Sequence, residues 1–242
     1  MNRVDGRTPA ELRPIDIQCN YILYPEGSVL ISMGNTKVLC NATLEEGVPR
    51  WMGAAEQGRG WITGEYALLP RSTAKRTSRE TNGIRGRTHE IKRLIGRALR
   101  QAVDLKLLGE RTVTIDCDVL QADGGTRTAA VTGGYLALRL ALEKLIIAGT
   151  IPRETLREQI AAISVGLLKG RPLLDLCYSE DSQADLDANI VMTSSGRFVE
   201  IQCTAEKEPL TRTQFDEVLS LAEGGLREIF LLQQKALQST LC

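Results

Sequence analysis

Hydrophobic residues recur along this chain with two periods, and each period predicts a different kind of element. Strand-like stretches carry β-branched and apolar residues at alternate positions, or in short runs bounded by glycine, proline or asparagine. Thr112–Leu120 alternates most cleanly and predicts a half-buried strand. The predicted strands are Ile15–Leu23, Ser28–Met33, Thr36–Leu44, Glu65–Pro70, Thr112–Leu120, Ala162–Leu168, Leu173–Tyr178, Ala188–Thr193 and Phe198–Thr204.

The helical period predicts four further elements. Apolar residues within Ile91–Ala102 recur at intervals of three and four and form one stripe, with arginines on the opposite face. A long helix is expected over Thr126–Ile147, where glycine and alanine provide a surface for close packing. A short helix is expected over Glu154–Gln159. A final amphipathic helix should begin near Thr213 and break or kink at Gly224-Gly225.

The order of these elements predicts the fold class. Groups of strands followed by helices occur twice, which indicates an α/β protein of the two-layer α+β type with two similar halves and mixed sheets packed against helices. The 242 residues suffice to bury a substantial core. We expect one domain over residues 1–242, which the resemblance described below implies to be catalytic, although no internal repeat at the sequence level proves a duplication.

Composition narrows the class of protein without identifying it. Hydrophobic residues make up 43% and charged residues 25%, as in ordinary soluble proteins. The first residues do not resemble a signal peptide and no apolar run is long enough to cross a bilayer, so we expect a soluble, cytoplasmic protein.

Cysteine and histidine usage argues against a zinc site. The six cysteines are scattered singly and His89 is the only histidine, which favours buried reduced thiols over a disulfide framework. His89 itself has no identifiable nucleophile partner, and we expect it to be structural or exposed. The cysteines are Cys19, Cys40, Cys117, Cys177, Cys203 and Cys242.

Positive charge is concentrated in one segment although the formal net charge is zero. Between Arg71 and Arg100 only Glu80 and Glu90 oppose the basic residues, and the part up to Arg87 is expected to be exposed. Such a segment can be a solvated face, but uncompensated charge of this density favours contact with a nucleic-acid backbone. The residues that we expect to contact nucleic acid, which the resemblance described below implies to be RNA, are Arg71, Lys75, Arg76, Arg79, Arg93 and Arg97.

A second segment has the features of an anion site. Asp123-Gly124-Gly125 ends a strand, and a helix begins at Thr126-Arg127, so free backbone N–H groups, a hydroxyl and a guanidinium meet at one point. This arrangement suits phosphate, yet it is also what a glycine turn with Thr126 or Thr128 as helix cap would look like. The segment matches neither a Walker loop nor a dinucleotide-binding fingerprint.

Negative charge is concentrated between Glu180 and Asp187. We expect Asp181 to close one strand and Asp187 to open the next, so that a short loop brings both carboxylates to one hard cation. Asp185 and Asp187 alternate about Leu186 and should face the same side. The segment contains no lysine or arginine; a solvated acidic loop is the alternative interpretation.

These segments, in this order, resemble the ribonuclease PH family over nearly the whole chain. The most specific match is Asp116–Ala129, a stretch that is close to a signature of the family. His89, Asp185 and Arg85 depart from the usual pattern, as does the tail from Gln233 onward. Further matches are Gly6–Pro9, Leu12–Pro14, Glu26–Leu30, Thr36–Cys40, Glu45–Arg50, Glu65-Tyr66, Leu69–Arg71, Gly86–Thr88, Glu90-Ile91, Asp181-Ser182, Asn189–Thr193, Gly196-Arg197, Gln202 and Thr204–Glu206.

The resemblance implies an activity, a site and an assembly. In this family inorganic phosphate attacks the last phosphodiester at an RNA 3′ end, typically of precursor tRNA beyond CCA, and releases a nucleoside diphosphate in a reversible reaction. It implies that Arg87 and Gly125–Arg127 bind the attacking phosphate. It also implies that Asp181 and Asp187 hold Mg²⁺ and, with Arg127, are catalytic. The implied assembly is a homohexameric ring built as a trimer of dimers.

Two other functions remain open from the sequence. A non-catalytic RNA-binding ring subunit would share the fold, and a hydrolytic metal-dependent nuclease would share the acidic residues. The presence of Arg127, Asp181 and Asp187 favours catalysis, and Gly124–Arg127 favours phosphate as the nucleophile. The proton donor to the leaving 3′-oxygen stays undecided among Asp187, Asp181 and a metal-bound water.

Overall fold

The computed structural model of the protein describes residues 3–53, 58–81 and 83–241 and contains two β-sheets and five α-helices in those ranges. The first sheet has five strands in the order β1-β2-β3-β5-β4. Its pairs are antiparallel except β4 and β5, which run parallel. Its strands are β1 Ile15–Cys19, β2 Gly27–Met33, β3 Thr36–Glu46, β4 Trp61–Leu68 and β5 Arg111–Gln121.

The second sheet has four antiparallel strands in the order β7-β6-β8-β9. Each sheet is followed in the chain by a long helix, so the predicted α/β fold of sheets packed against helices is confirmed. The strands are β6 Ile160–Leu168, β7 Arg171–Leu174, β8 Leu186–Thr193 and β9 Phe198–Ala205. The helices are α1 Gly86–Arg100, α2 Leu105–Leu108, α3 Thr126–Ile147, α4 Tyr178–Asp181 and α5 Arg212–Leu241.

Helix α3 connects the two halves of the molecule through its packing. It contacts β2, β3 and β5 of the first sheet as well as β6 of the second, and it is buried on nearly all sides. Gly133 permits the close approach, since a Cβ there would lie 2.7 Å from Ile31 Cγ2. Helix α5 covers the other half by packing on β6, β7 and β1. The small residues of α3 therefore serve close packing, as the sequence indicated.

The N-terminal strap, Arg3–Arg13, has neither helix nor strand but ties the halves together. The backbone N–H of Leu174, at the end of β7, donates to the Pro9 carbonyl oxygen at 2.8 Å. Directly after the strap, the Pro14 carbonyl oxygen accepts the Gly34 N–H of the first half at 2.8 Å. The arginines of the strap thereby contact the loops that follow β5 and β7.

Several element predictions need correction. The expected helix over Glu154–Gln159 is only a 3₁₀ turn at Arg153–Thr155, and Ile160 already starts β6. The expected break at Gly224-Gly225 is absent from α5, which is continuous within the described residues. The first strand ends at Cys19, before Asn20 turns the chain with φ 54°, and β4 begins at Trp61. Part of the predicted Val48–Gly64 loop, residues 54–57, lies outside the described ranges.

The cysteines that are described are all free thiols, and three of them are buried, which confirms the expectation of reduced cysteines for that part of the chain. Cys242 lies outside the described residues. Among the helices that are described, none combines the length and the apolar character needed to span a membrane.

Candidate active site

A cleft of about 1300 Å³ opens between the two halves and brings the three charged segments together. Its walls come from the start of α3, the end of α4, the start of β8 and the loop between β4 and α1. The predicted site residues that line it are Arg71, Lys75, Arg76, Arg87, Gly125, Thr126, Arg127, Asp181 and Asp187. Residues separated by more than a hundred positions thus share one solvent space.

The loop Asp123–Arg127, called the phosphate loop below, turns at its two glycines. Gly124 and Gly125 have φ of 76° and 65°, values that favour glycine. A Cβ on Gly124 would also lie 2.5 Å from the Leu176 carbonyl oxygen. Gly125 is the N-cap of α3, and within the described residues no side chain caps the first turn. The alternative interpretation, with Thr126 or Thr128 as the helix cap, is therefore not met, and the first-turn N–H groups favour an anion.

Thr126 and Arg127 are each held by side chains from other elements. The hydroxyls of Thr126 and Tyr66 share a hydrogen bond of 2.8 Å. One terminal nitrogen of Arg127, Nη1, donates to Oε1 of Glu90 at 3.0 Å and of Gln202 at 2.9 Å. These contacts leave Nη2 and Nε of Arg127 available for a ligand in the cleft. The sequence did not assign a role to Tyr66, Glu90 or Gln202, because their partners lie at least 37 positions away.

Positive charge in the cleft acts on Tyr66. Burial raises the pKa of its phenol, while the hydrogen bond with Thr126 and the guanidinium groups of Arg87 and Arg127 oppose that rise only in part. Both arginines therefore lie within electrostatic reach of the phenol. The residues implied for phosphate binding gather at the start of α3, with Arg87 contributed by the first turn of α1.

Asp181 and Asp187 reach the same cleft from a different local structure than predicted. Asp181 ends the short helix α4 rather than a strand, and Asp187 lies one residue inside β8. Burial raises the pKa of both carboxyls, and the charge of Asp181 raises that of Asp187 further. Asn189 Nδ2 donates to both oxygens of Asp187, at 3.3 and 3.4 Å. These two aspartates are called the acidic pair below.

The neighbouring Asp185 does not belong to the acidic pair. Its carboxylate is bonded to Lys207 at 2.6 Å and accepts the Gly170 N–H, and it does not line the cleft. The prediction that Asp185 and Asp187 face the same side is therefore not met at the site. The acidic segment contains no basic residue, but the fold brings Arg87, Arg127 and Arg13 near Asp181. Their positive charges lower the pKa of Asp181 and so counteract part of the rise that burial causes.

The acidic pair fits a magnesium ion better than a closed metal cage. Within the described ranges no cluster of three or more histidine, cysteine, aspartate or glutamate side chains could hold a metal. Mg²⁺ is typically held by one or two carboxylates, with water and substrate phosphate completing the shell. Two half-buried carboxylates that repel each other beside an anion loop meet this description.

The basic residues divide into two groups. Arg71, Lys75 and Arg76 lie on the basic loop, Arg71–Arg79, whose first residues line the cleft. Arg79 is exposed on the same loop, within electrostatic reach of Asp118. Arg93 and Arg97 instead line a groove of about 340 Å³ on the outer face of α1. Arg97 is bound there by Glu200 of β9 at 2.5 and 2.7 Å.

Comparison with known proteins identifies the class to which this fold and cleft belong. Two models described as the 3′ exoribonuclease family match the chain, domain 1 over residues 11–142 and domain 2 over residues 158–225. The chain belongs to this family. Ribonuclease PH of Crocosphaera subtropica is 53% identical over 97% of each chain. Ribonuclease PH of Bacillus cereus is 53% identical over 97% of this chain and 96% of its own.

Solved structures share the fold at low sequence identity. Rice (Oryza sativa) Rrp46 superposes with a TM-score of 0.79 at 20% identity, covering 97% of this chain and all of its own. The Archaeoglobus fulgidus exosome gives 0.77 at 24% identity over 95% and 92% of the two chains. These structures show the fold; the curated relatives and the family models make the protein a phosphorolytic 3′ exoribonuclease of the ribonuclease PH type, with phosphate as its co-substrate.

Proposed function

We propose that the enzyme trims the 3′ end of precursor tRNA beyond CCA and releases nucleoside diphosphates, and that it adds nucleotides from nucleoside diphosphates in the reverse direction. The observation that carries this proposal is the single cleft in which the basic loop, the phosphate loop and the acidic pair meet. A basic loop beside the reacting groups suits a single-stranded 3′ end, because its cations can follow the RNA backbone.

The reaction brings two anions together, the attacking phosphate and the RNA phosphodiester, and the residues described here would bind the first. Phosphate would lie at the start of α3, where the first-turn N–H groups, the Thr126 hydroxyl and Arg127 can donate hydrogen bonds to it. Arg87 would complete the site from α1. Since both the nucleophile and the scissile ester are negative, these donors act by cancelling repulsion and by holding the phosphate in line for attack.

Asp181 and Asp187 would hold Mg²⁺ opposite the phosphate loop. When bound, the ion supplies charge stabilisation for the scissile phosphate and the leaving 3′-oxygen. The protein would orient these ligands in two ways: Asn189 donates hydrogen bonds to the Asp187 carboxylate, and Asp181 is placed by its position at the end of α4. Arg127 lies near both aspartates, so it can contact the attacking phosphate while it balances their charge.

The proposal extends to the rest of the chain and to its assembly. Because both halves line the cleft, the chain would act as one catalytic unit. It would assemble as a homohexameric ring, a trimer of dimers, with the basic loops directed toward the RNA. A cytoplasmic location, supported by the bacterial ribonuclease PH relatives, belongs to the same proposal. Sedimentation at micromolar concentration tests the ring; a monomer alone would contradict it.

The reaction is tested by product analysis. A precursor tRNA with extra 3′ nucleotides is incubated with Mg²⁺, with and without inorganic phosphate, and the released nucleotides are separated. Nucleoside diphosphates that appear only with phosphate, and a ladder that stops near CCA, support the proposal. Monophosphates in the absence of phosphate would indicate hydrolysis instead, and RNA binding without release would indicate a non-catalytic subunit.

A further inference from the structure

Five charged side chains lie buried behind the cleft. Arg3, Arg7 and Arg13 of the N-terminal strap are 7%, 9% and 3% exposed, and the carboxylates opposite them, Asp175 and Glu180, are 0% and 2% exposed. Charges this deep persist only when they are paired and hydrogen-bonded. Replacing such a network by apolar residues often costs no stability, so its charged character suggests a purpose besides stabilisation.

Arg13 joins the phosphate loop to the turn after β7. Its Nε and Nη2 donate to the two carboxylate oxygens of Asp175, at 3.0 and 2.6 Å. Its Nη1 donates to the Asp123 carbonyl oxygen at 2.5 Å. Asp175 has φ 52°, a conformation that L residues rarely adopt, and the Arg13 backbone N–H also donates to its carboxylate, at 2.9 Å. One guanidinium therefore fixes the spacing between the phosphate loop and the turn.

Arg3 makes a parallel connection to the acidic pair. Its Nε and Nη2 donate to the two oxygens of Glu180, at 2.9 and 2.7 Å, and its Nη1 donates to the Leu174 carbonyl oxygen at 2.7 Å. Glu180 directly precedes Asp181 in α4. The carbonyl oxygens that Arg3 reaches belong to the strap, to the end of β7 and to the turn after it, whereas Arg13 reaches the phosphate loop.

We infer that Arg13 is a positioning residue for the attacking phosphate and that Arg3 is a positioning residue for the metal-binding Asp181. The strap thereby sets the distance between the two halves of the reaction centre. This inference rests on the proposed roles of the phosphate loop and the acidic pair. It predicts that two arginines of similar burial, in one network, affect different ligands.

The matched variants Arg13→Lys and Arg3→Lys test this difference. Both keep the positive charge and remove the two-pronged hydrogen bonding to a carboxylate. The first readout needs no turnover: the rise in Tm caused by inorganic phosphate, and Mn²⁺ binding measured by electron paramagnetic resonance. The second is the KM for phosphate and the Mg²⁺ concentration that gives half-maximal activity, each compared with kcat.

Each variant should lose its response to one ligand and keep its response to the other. Arg13→Lys should lose most of the phosphate-induced rise in Tm and raise the KM for phosphate about tenfold or more, since small displacements at a reacting centre are costly. Its Mn²⁺ binding should stay near that of the wild type. Arg3→Lys should weaken Mn²⁺ binding and raise the Mg²⁺ requirement about tenfold, with an unchanged KM for phosphate. The isosteric Glu180→Gln should reproduce the Arg3→Lys pattern.

Equal losses of Tm in both variants, with wild-type phosphate and metal responses, would overturn the inference and leave the network a purely stabilising one. If Arg13→Lys does not fold, Asp175→Asn carries the same test, because it preserves the shape of the side chain. Failure of the proposed function would look different: phosphate would then not raise the Tm of the wild type, and the wild type would release no nucleoside diphosphate.

Discussion

At the phosphate loop, each functional side chain has partners from other elements, so single substitutions should separate binding from turnover. Arg127 is held by Glu90 and Gln202 through Nη1 alone. Its remaining donors can reach a bound anion. Thr126 depends on the Tyr66 hydroxyl. In the acidic pair the charge of Asp181 disfavours the charge of Asp187, and a bound cation would relieve this repulsion.

Arg127→Ala should reduce kcat/KM for phosphate roughly ten- to a hundredfold, because hydrogen bonds to charged groups contribute about 1.5–3 kcal/mol. RNA affinity, measured by filter binding, should largely survive, since the basic loop is untouched. Arg212→Ala is the control, as this exposed arginine pairs with Asp216 four residues further along α5. Full phosphate-dependent activity in Arg127→Ala would show that the assigned pocket is wrong.

Tyr66→Phe should raise the KM for phosphate roughly three- to tenfold through the loss of one neutral hydrogen bond of about 1 kcal/mol. When Tyr66 donates to Thr126, the Thr126 hydroxyl proton is directed to the ligand; without it, that orientation is lost. Initial rates at varied phosphate measure the effect. Tyr135→Phe is the matched control, since Tyr135 is a buried tyrosine on α3 that does not line the cleft. A similar change in both variants would argue against the role of Tyr66.

Asp187→Asn should abolish turnover and, without metal, raise the Tm. Burial and the charge of Asp181 raise the pKa of Asp187 above its ordinary value of 3.8, so the folded state gains stability as pH falls through the raised pKa. The Asn substitution removes the negative charge at residue 187 and should therefore give the same gain in stability at neutral pH. For the same reason, Mg²⁺ affinity of the wild type should decline on acidification at a pH above the ordinary carboxyl range. Calorimetry with and without Mg²⁺ measures both; a lower metal-free Tm for Asp187→Asn would contradict this account.

At the scale of elements, the basic loop and helix α1 differ although both are rich in arginine. The basic loop presents Arg76 and Arg79 in exposed positions. On α1, by contrast, Glu200 binds Arg97, Glu65 binds Lys92 at 2.7 Å, and Trp61 lies beneath Arg100 at 4.3 Å. Cations already paired in this way have less to gain from an RNA phosphate.

Reversing Arg76 and Arg79 to Glu should therefore weaken RNA binding and flatten its salt dependence by about 0.7 in the log–log slope for each RNA phosphate that is no longer neutralised. Fluorescence anisotropy over a salt series measures this. Arg227→Glu with Lys235→Glu, on exposed positions of α5, makes the same change in net charge and serves as control. Arg97→Ala should change the slope less than the loop variant does. Equal slopes for loop variant and wild type would refute the RNA-binding role of the loop.

At the scale of the whole molecule, α3 packs against both sheets, so we expect them to unfold as one unit. Leu142 is fully buried on this helix, so Leu142→Ala should lower the free energy of unfolding by about 2–5 kcal/mol. Both tryptophans, Trp51 and Trp61, lie in the first half, so tryptophan fluorescence reports on that half. Far-ultraviolet circular dichroism reports on both halves. Denaturation curves from the two probes should coincide and shift together in the variant. Separate transitions would mean that the halves unfold independently.

Local pattern predicts some elements well and others badly, for identifiable reasons. Helix α3 begins and ends at the predicted residues because the Gly124-Gly125 turn and a long run of small and apolar residues are local features. The apolar stretch from Leu173 predicts a strand that continues through Tyr178. The strand ends at Leu174 because Arg13, 162 positions away, holds Asp175 in a left-handed turn.

By itself, the sequence determined the succession of the nine described strands and of the long helices α1, α3 and α5, the glycine turn at the start of α3 and the identity of the charged groups, since these depend on residues close together in the chain. It also determined the resemblance to a family, through the order of its motifs. Only the tertiary structure decided which charges meet. It joined Arg127 to Glu90 and Gln202, excluded Asp185 from the acidic pair by binding it to Lys207, and buried the strap arginines against Asp175 and Glu180. The physical reason is that local periodicity fixes which face of an element is buried, whereas the packing of two sheets about one helix fixes which distant side chains share the cleft.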